Sequence, residues 1–271
     1  MLTASIVTYH TPKDDLERLI HCVLSSSINK LFLVDNSRND ALRCMQDLSP
    51  RIRYIHSENV GYGRAHNIAI REAIEAGSRY HVVINPDIYF GEGVIEELTN
   101  YMETYPDIGL VMPRVENPGG GVRYICKLLP TPFDLLIRRF LPASIFSHQQ
   151  ERFTLKFSGY DTEMNVPYLS GCFMFIRTEA LKKVGLFDER FFMYGEDTDL
   201  SRRIHAQYRT MYYPNVMIHH GACRASYKSF RMLLVHIINL IRYFNKWGWI
   251  FDAERRTVNK QTIQAIEASK K

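Results

Sequence analysis

The sequence predicts an open, mainly parallel α/β sheet flanked by helices and followed by a C-terminal helical extension. Short apolar runs of strand length alternate with amphipathic segments of helix length from Ala4 to Met112. Turn-forming polar residues gather just past the ends of those runs, at Tyr9-His10-Thr11-Pro12, Asp35-Asn36-Ser37 and Asn85-Pro86-Asp87. Near residue 225 the pattern changes to one long apolar helical segment broken by cations. Ligands of open α/β sheets bind beyond the carboxyl ends of the strands. Asp35, Asn36 and Asp87 therefore fall where a site is expected.

Residues 4–8 read as a buried first strand. Residues 14–25 follow as a helix with Leu16, Leu19, Ile20 and Val23 on one face. Residues 31–34 form a second strand, 39–48 a polar helix and 52–55 a third strand. The loop Glu58-Asn59-Val60-Gly61-Tyr62-Gly63-Arg64-Ala65-His66-Asn67 enters a helix whose face is Ala65, Ile68, Ala69, Ala73 and Ala76, closed by Gly77. Residues 80–84 are a fourth strand, 93–103 a helix and 108–112 a further strand.

Between Asn117 and Asn165 the pattern weakens through Gly119-Gly120-Gly121 and three prolines, Pro130, Pro132 and Pro142. Inside it Phe133, Leu136, Ile137, Phe140 and Leu141 recur at helical spacing beside Arg138 and Arg139. Two readings fit: a helix packed on the core, or a flap lying on a membrane surface. Residues 172–176 are a buried strand, and 178–184 a short helix with a hydroxyl in front and Gly185 behind. Phe191-Phe192-Met193-Tyr194 then leads through Gly195 into Glu196, Asp197 and Asp199, which sit in the first turn of a helix continued by Leu200 and Ile204. Residues 211–214 and 216–218 read as short strands leading into His219-His220-Gly221. Residues 230–251 form an apolar helix that Arg231, His236, Arg242 and Lys246 make too charged to span a membrane.

With 271 residues, 46% hydrophobic and 23% charged, the chain has the composition of a soluble globular protein able to bury its own core. The net charge of +5 is dispersed, and the aromatic cluster at 191–194 is bordered by acids, which argues against a nucleic-acid-binding module. Cys22, Cys44, Cys126, Cys172 and Cys223 contain no C-x-x-C pair, so buried thiols in a reducing compartment are predicted. The sequence enters a strand almost at once, and no signal peptide is predicted. No uninterrupted apolar run reaches the roughly 20 residues that a bilayer span needs.

Three segments carry chemistry. Acids in a first helical turn complement the helix dipole, and Asp199 has Arg203 four residues on as a surface partner; held against an aromatic wall, the same acids are placed for general-base work. Asn85-Pro86-Asp87 puts one carboxylate at a strand end, where Pro-Asp is also ordinary turn material. With His219 it would offer an oxygen and an imidazole nitrogen to one divalent cation; a hydrogen-bonded histidine pair in a turn is the plainer reading. Gly61-Tyr62-Gly63 entering a helix offers backbone N–H groups to an anion. It is neither a dinucleotide fingerprint, since His66 stands where the third glycine would be, nor a P-loop.

Taken in order, Ser-Ile-Val-Thr-Tyr-His, Val-Asp-Asn-Ser, Asn-Val-Gly-Tyr-Gly-Arg-Ala-His-Asn, Asn-Pro-Asp, Leu-Ser-Gly-Cys-Phe-Met, Phe-Met-Tyr-Gly-Glu-Asp-Thr-Asp-Leu-Ser-Arg-Arg and Ile-His-His-Gly resemble the family 2 inverting glycosyltransferases of GT-A fold, particularly their bacterial rhamnosyltransferase-like branch. The resemblance implies a glycosyltransferase domain over residues 1–225, with a nucleotide-sugar-binding half (1–115) and an acceptor and catalytic half (116–225), then a helical extension (226–271). It implies nucleotide contacts from Thr8, Tyr9, Asp35, Asn59, Gly61, Asn67 and Asn85. Ser170 and Gly171 would face the acceptor, with Asp197 as general base and Glu196 and Asp199 as its supports. Asp87 and His219 would hold Mn²⁺ or Mg²⁺. The chain departs from the family's D-x-D motif at Asn85, which removes one carboxylate and lowers the expected metal affinity.

The implied partners are a nucleotide-diphosphate sugar, dTDP-rhamnose or a UDP-hexose, and a saccharide or lipid-linked saccharide acceptor of bacterial cell-surface polysaccharide. The implied location is the cytoplasm, with peripheral contact to the inner membrane; nucleic acid is not an expected partner. Two rival readings are a catalytically weak or inactive sugar-nucleotide binder, motivated by Asn85, and a sugar nucleotidyltransferase. The latter would need a glycine-rich basic loop after the first strand, where Tyr9-His10-Thr11-Pro12 stands.

Overall fold

The computed structural model describes residues 1–137, 147–221 and 230–270. Among these residues nine strands form one sheet: β1 (Leu2–Thr8), β2 (Lys30–Asp35), β3 (Ile52–His56), β4 (Tyr80–Ile84), β5 (Ile88–Phe90), β6 (Ile108–Glu116), β7 (Met164–Asn165), β8 (Phe173–Arg177) and β9 (Arg209–His220). Their order is β3-β2-β1-β4-β8-β6-β9-β5, with β7 paired to β9. The β3-β2-β1-β4 half is wholly parallel. β8 runs antiparallel to both β4 and β6, and β6 is parallel to β9. Periodicity identifies β8 as a strand but not its direction, which depends on how the chain returns after residue 117.

Every residue of β1, β4 and β8 is buried. Covered on both faces, they present no polar face to solvent; their polar residues Thr3, Ser5, Thr8, His81 and Arg177 are buried and hydrogen-bonded inside. The helices are α1 (Lys13–Leu24), α2 (Tyr62–Glu75), α3 (Val94–Thr104), α4 (Ser147–Phe153), α5 (Thr178–Val184), α6 (Glu196–His205), α7 (Phe230–Trp247) and α8 (Ala253–Ala268). α1 buries Leu16, Leu19, Ile20 and Val23, the stripe read from the sequence.

Several expectations change. The helix expected over 39–48 is a 3₁₀ turn, Arg43–Leu48, that buries only Met45; a short polar segment without an apolar stripe has little to hold an α-helix. The two short strands expected after residue 210 are one strand, β9, whose register against β6 steps between Pro113 and Arg114, where a proline cannot donate to the ladder. The Thr178 hydroxyl does not cap α5; it donates to the Ser78 carbonyl at 2.5 Å. Of the apolar segment 133–141, residues 133–137 form a π-helical turn and 138–141 lie outside the described residues, as does Cys223. Cys126 and Cys172 are buried free thiols, whereas Cys44 is exposed.

The apolar C-terminal segment ends its helix at Trp247, and α8 follows from Asp252, whose carboxylate accepts the Arg255 N–H at 2.9 Å. α7 packs Tyr243 and Phe244 against Phe191. Arg202 of α6 meets Asp252 through two hydrogen bonds of 2.7 and 2.8 Å, with both side chains buried. The extension is thus bolted to the helix that carries the acids. No described helix is long and apolar enough to cross a membrane.

Candidate active site

The three segments that carry chemistry meet beyond the ends of β4 and β8. α6 begins with Glu196, directly after two left-handed residues, Tyr194 (φ 73°) and Gly195 (φ 95°). A tyrosine there is uncommon, and the turn aims the first acids of α6 inward. Asp197 Oδ2 accepts the Gly171 N–H at 2.9 Å and lies 3.4 Å from the Tyr168 hydroxyl, while Oδ1 accepts the Thr198 N–H at 2.8 Å. Gly171 is required by this approach: a Cβ there would lie 3.0 Å from the Asp197 Cβ. Ser170 beside it is half-buried.

Tyr62, from the first turn of α2, joins the two sides of the site. Its hydroxyl lies 2.6 Å from the Gly171 carbonyl and 2.9 Å from Asn85 Oδ1, and its one proton serves either acceptor. The Asn85 N–H in turn donates to the Cys172 carbonyl at 2.9 Å. A connected path therefore runs from Asp197 through Gly171 and Tyr62 to Asn85, two residues from Asp87. Burial, and then the charges of Glu196, Cys172, Asp197 and Asp87, hold the Tyr62 hydroxyl well above its ordinary pKa. It stays a neutral donor.

Glu196 and Asp197 have different surroundings. Glu196 is buried, and burial followed by the neighbouring Asp197 charge pushes its pKa well above the carboxylate range. Its Oε2 has no hydrogen-bond partner among the described residues. Asp199, expected beside Asp197 as a support, is engaged with α7 and with Arg203. Its fully buried carboxylate receives Arg203 Nε at 2.8 Å, Trp247 Nε1 at 2.8 Å and Lys246 Nζ at 2.6 Å. It anchors α7 to α6, and the Arg203 pair is the (i, i+4) partnership that helical spacing allows.

The histidine beside Asp87 is His220, with Nε2 3.2 Å from Oδ1. His219, the residue expected there, points elsewhere and stacks on Tyr89 with ring centroids 4.8 Å apart. Successive residues of a strand face opposite ways, and β5 fixes which one meets Asp87 by pairing Ile88 with His220 and Tyr89 with His219. Burial alone would lower the His220 pKa; hydrogen bonds to Asp87 and Cys172 outweigh it and hold it at about 9. No group of three or more His, Cys, Asp or Glu side chains among the described residues forms a ready-made metal cage. Nε2 and Oδ1 face each other across a shared proton, so one carboxylate oxygen and one imidazole nitrogen fit a cation, with diphosphate and water in its other positions, when the cation displaces that proton.

The expected nucleotide residues divide. Thr8 and Asp35 are buried and engage each other at 3.0 Å; Asp35 also receives the Ser37 N–H at 3.0 Å and the Tyr54 hydroxyl at 2.9 Å. They shape the end of β1 and β2 and leave no open carboxylate face. Tyr9, 51% exposed, and the exposed Asn59 stand at the rim. Asn67 is a correction: its buried amide clamps the Phe187 backbone, donating to the carbonyl at 2.9 Å and accepting the N–H at 3.1 Å. The glycine loop is another. The Gly61 N–H is taken by Asn59 Oδ1 at 3.3 Å and the Tyr62 N–H by the Phe192 carbonyl at 2.8 Å, so neither is free for an anion. A Cβ on Gly61 would lie 2.3 Å from the Phe192 carbonyl oxygen, and one on Gly63 2.9 Å from the Phe187 Cβ. These glycines let α2 press against the segment that delivers the acids.

The profile of the family described as Glycosyl transferase family 2 matches residues 3–185, which contain β1 from Thr3 on, every strand from β2 to β8 and the Tyr62, Asn85, Asp87 and Gly171 positions. The chain belongs to glycosyl transferase family 2. An N-acetylglucosaminyl-diphospho-decaprenol L-rhamnosyltransferase of Mycobacterium tuberculosis is 30% identical over 243 residues, 82% of this chain and 76% of the relative. The low-salt glycan biosynthesis hexosyltransferase Agl10 of Haloferax volcanii is 28% identical over 74% of this chain and 61% of its own. The fold of this glycosyltransferase is shared with GalNAc-T7, solved with UDP, GalNAc and Mn²⁺ (TM-score 0.67, 13% identity, 94% of this chain and 48% of that one). It is shared also with S. aureus TarS residues 1–349 (TM-score 0.56, 13% identity, 90% and 72%).

Two residues of the candidate site escape sequence reading. Tyr62 sat in view inside the Gly-Tyr-Gly loop, but only the fold reveals that it spans to Gly171, 109 residues away. His220 was separable from His219 only by the strand register.

Proposed function

We propose that this glycosyltransferase inverts the anomeric centre of a nucleotide-diphosphate sugar, dTDP-rhamnose or a UDP-hexose, in one displacement onto a lipid-linked saccharide acceptor. The observation that supports the reading is the hydrogen-bonded path Asp197–Gly171–Tyr62–Asn85, which links the proposed base to the strand end that carries the Asp87–His220 pair. Asp197 takes the proton of the acceptor hydroxyl as that oxygen forms its bond to the anomeric carbon and the bond to the diphosphate breaks. General-base help of this kind contributes about 10²–10⁴-fold. Glu196, kept neutral by burial and by Asp197, leaves a single acceptor of that proton between two adjacent carboxyl groups. Gly171 and Tyr168 orient the base, and Tyr62 fixes the Gly171 carbonyl.

Asp87 and His220 would hold a divalent cation, which when bound supplies positive charge against the departing diphosphate. Mn²⁺ and Mg²⁺ both suit the carboxylate and diphosphate oxygens, and GalNAc-T7 of the same fold was solved with UDP, GalNAc and Mn²⁺. The donor base would lie over the rim formed by Tyr9 and Asn59, on the floor shaped by Thr8 and Asp35. The lipid-linked acceptor follows the name of the mycobacterial relative. With it we read the enzyme as cytoplasmic and working at the inner face of the membrane, with residues 1–225 as the transferase domain and 226–271 as its extension. A panel of nucleotide sugars assayed for transfer and diphosphate release, with and without Mn²⁺, tests the reading. Metal-dependent turnover of one donor is expected; nucleotide binding without turnover of any donor would favour the inactive binder that Asn85 suggests.

A further inference from the structure

We infer that the outer face of α7 and the turn that follows it form a docking surface for an anionic lipid bilayer. α7 buries Tyr243 and Phe244 but turns Phe230, Leu234, Ile238 and Ile241 to solvent, 75, 45, 48 and 42% exposed. Spaced at i, i+4, i+8 and i+11, they form one continuous stripe. Ile250 and Phe251, 68 and 87% exposed, extend it beyond the helix. Trp249 ties the turn to the stripe by donating from Nε1 to Asn245 Oδ1 at 2.8 Å. Soluble monomers rarely leave a contiguous apolar surface of this kind uncovered without a use for it.

Charge selects the occupant. From Phe230 to Phe251 the sequence has Arg231, Arg242 and Lys246 and no acid. Arg242 lies at the edge of the stripe and is spent only on uncharged oxygens, the Arg190 carbonyl and Asn239 Oδ1. Lys246 is turned to the other face, held by Asp188 and Asp199, so the stripe is acid-free with Arg242 at its edge, which suits a helix lying in the interface of an anionic membrane. A second copy seated on the same face would bring like charges together. The helix does not meet the requirement for spanning, so the mode is lying on the surface.

The opposite face of α7 holds the catalytic segment. Asn239 Nδ2 donates to the Met193 carbonyl at 2.7 Å, the His236 ring meets Tyr194 at 4.9 Å, and Trp247 and Lys246 grip Asp199. The proposed membrane face is therefore about one helix diameter, ~10 Å, from the helix bearing Asp197. Docking would set the acceptor mouth at the level of lipid headgroups. This rests on the lipid-linked acceptor proposed above, but binding is measured without donor or acceptor, and donor turnover without vesicles, so the two can fail separately.

The experiment is co-sedimentation of the full chain with vesicles of equal parts phosphatidylglycerol and phosphatidylcholine, together with tryptophan emission. Of the two tryptophans, Trp247 faces Asp199 and Trp249 lies in the turn at the end of the stripe, so a blue shift on vesicle addition reports Trp249. Wild type is expected to sediment with the anionic vesicles, less with pure phosphatidylcholine and less at high salt. The double variant Ile238→Glu/Phe251→Glu should bind at least about tenfold more weakly, with donor turnover unchanged. Three outcomes overturn the inference: wild type remaining in the supernatant, the double variant sedimenting like wild type, or a solution dimer that Ile238→Glu dissociates.

Discussion

Substituting Gly171 by alanine tests the geometry of the base while leaving its chemistry in place. Gly171 does not occupy the left-handed region, so alanine meets no backbone penalty there; its only new atom would stand 3.0 Å from the Asp197 Cβ and 3.5 Å from Oδ2. Ordinary carbon contacts lie at about 3.5–4.0 Å, so Asp197 must retreat by about 0.5–1 Å, or the Gly171 N–H that holds it must. A misplacement of about 1 Å costs on the order of 10²-fold in rate. The expected fall in kcat is therefore about 10- to 100-fold, or about 1.4–2.8 kcal/mol of activation free energy. Donor KM should hold, because Asp87 and His220 are untouched. Overpacking also costs about 1–3 kcal/mol of stability, so thermal unfolding is recorded alongside and turnover measured well below the transition. A folded variant with kcat within twofold of wild type would refute the placement of the base.

Glu196→Gln should stabilise the protein at neutral pH. The folded-state pKa of Glu196 is raised, so its contribution is fully present below the unfolded carboxylate pKa and is lost as pH rises toward the folded one. The gap between variant and wild type should widen by up to about 1.4 kcal/mol per pH unit above pH ~4.5, read by denaturant unfolding from pH 4 to 8; a pH-independent gap would count against a protonated Glu196. The opposite sign applies to His66 and His81, buried and joined through the Ser5 hydroxyl at 2.7 Å on each side. Burial lowers both, His81 to about 3. Stability should fall as pH drops below ~6.5, each histidine adding up to about 1.4 kcal/mol per pH unit, and His81→Gln should flatten that slope. Asp199→Asn leaves Arg203 and Lys246 facing a neutral group in a buried site and should cost about 3–5 kcal/mol. Proteolysis should then release α7 and α8 first; unchanged unfolding would contradict the anchor role.

The sheet and its helices were legible because buried parallel strands and one-sided helices write their periods directly into residues such as Ile6, Val82 and Leu16. The antiparallel entry of β8 was not, since direction is a property of the connection and not of the strand. Asp197 and Asp87 were legible as carboxylates at element ends. Their partners were not: His219 and His220 are chemically identical in sequence, and only the pairing of β9 with the three-residue β5 chooses between them. The glycine loop was misread for a related reason. Its glycines answer to Phe192 and Phe187, more than a hundred residues on, so their spacing resembles an anion loop while their cause is close packing. Asp199 shows the converse: the plain helical pairing with Arg203 forms, but in the interior and not on the surface, because α7 covers it with Trp247 and Lys246.

The most direct test of the account is Asp197→Asn, assayed side by side for transfer and for nucleoside diphosphate binding by calorimetry. The account predicts transfer reduced by at least about 10²-fold with diphosphate affinity close to that of wild type, because the base touches the acceptor side alone. Transfer within a few-fold of wild type would contradict the assignment, as would a parallel collapse of diphosphate binding in a folded variant.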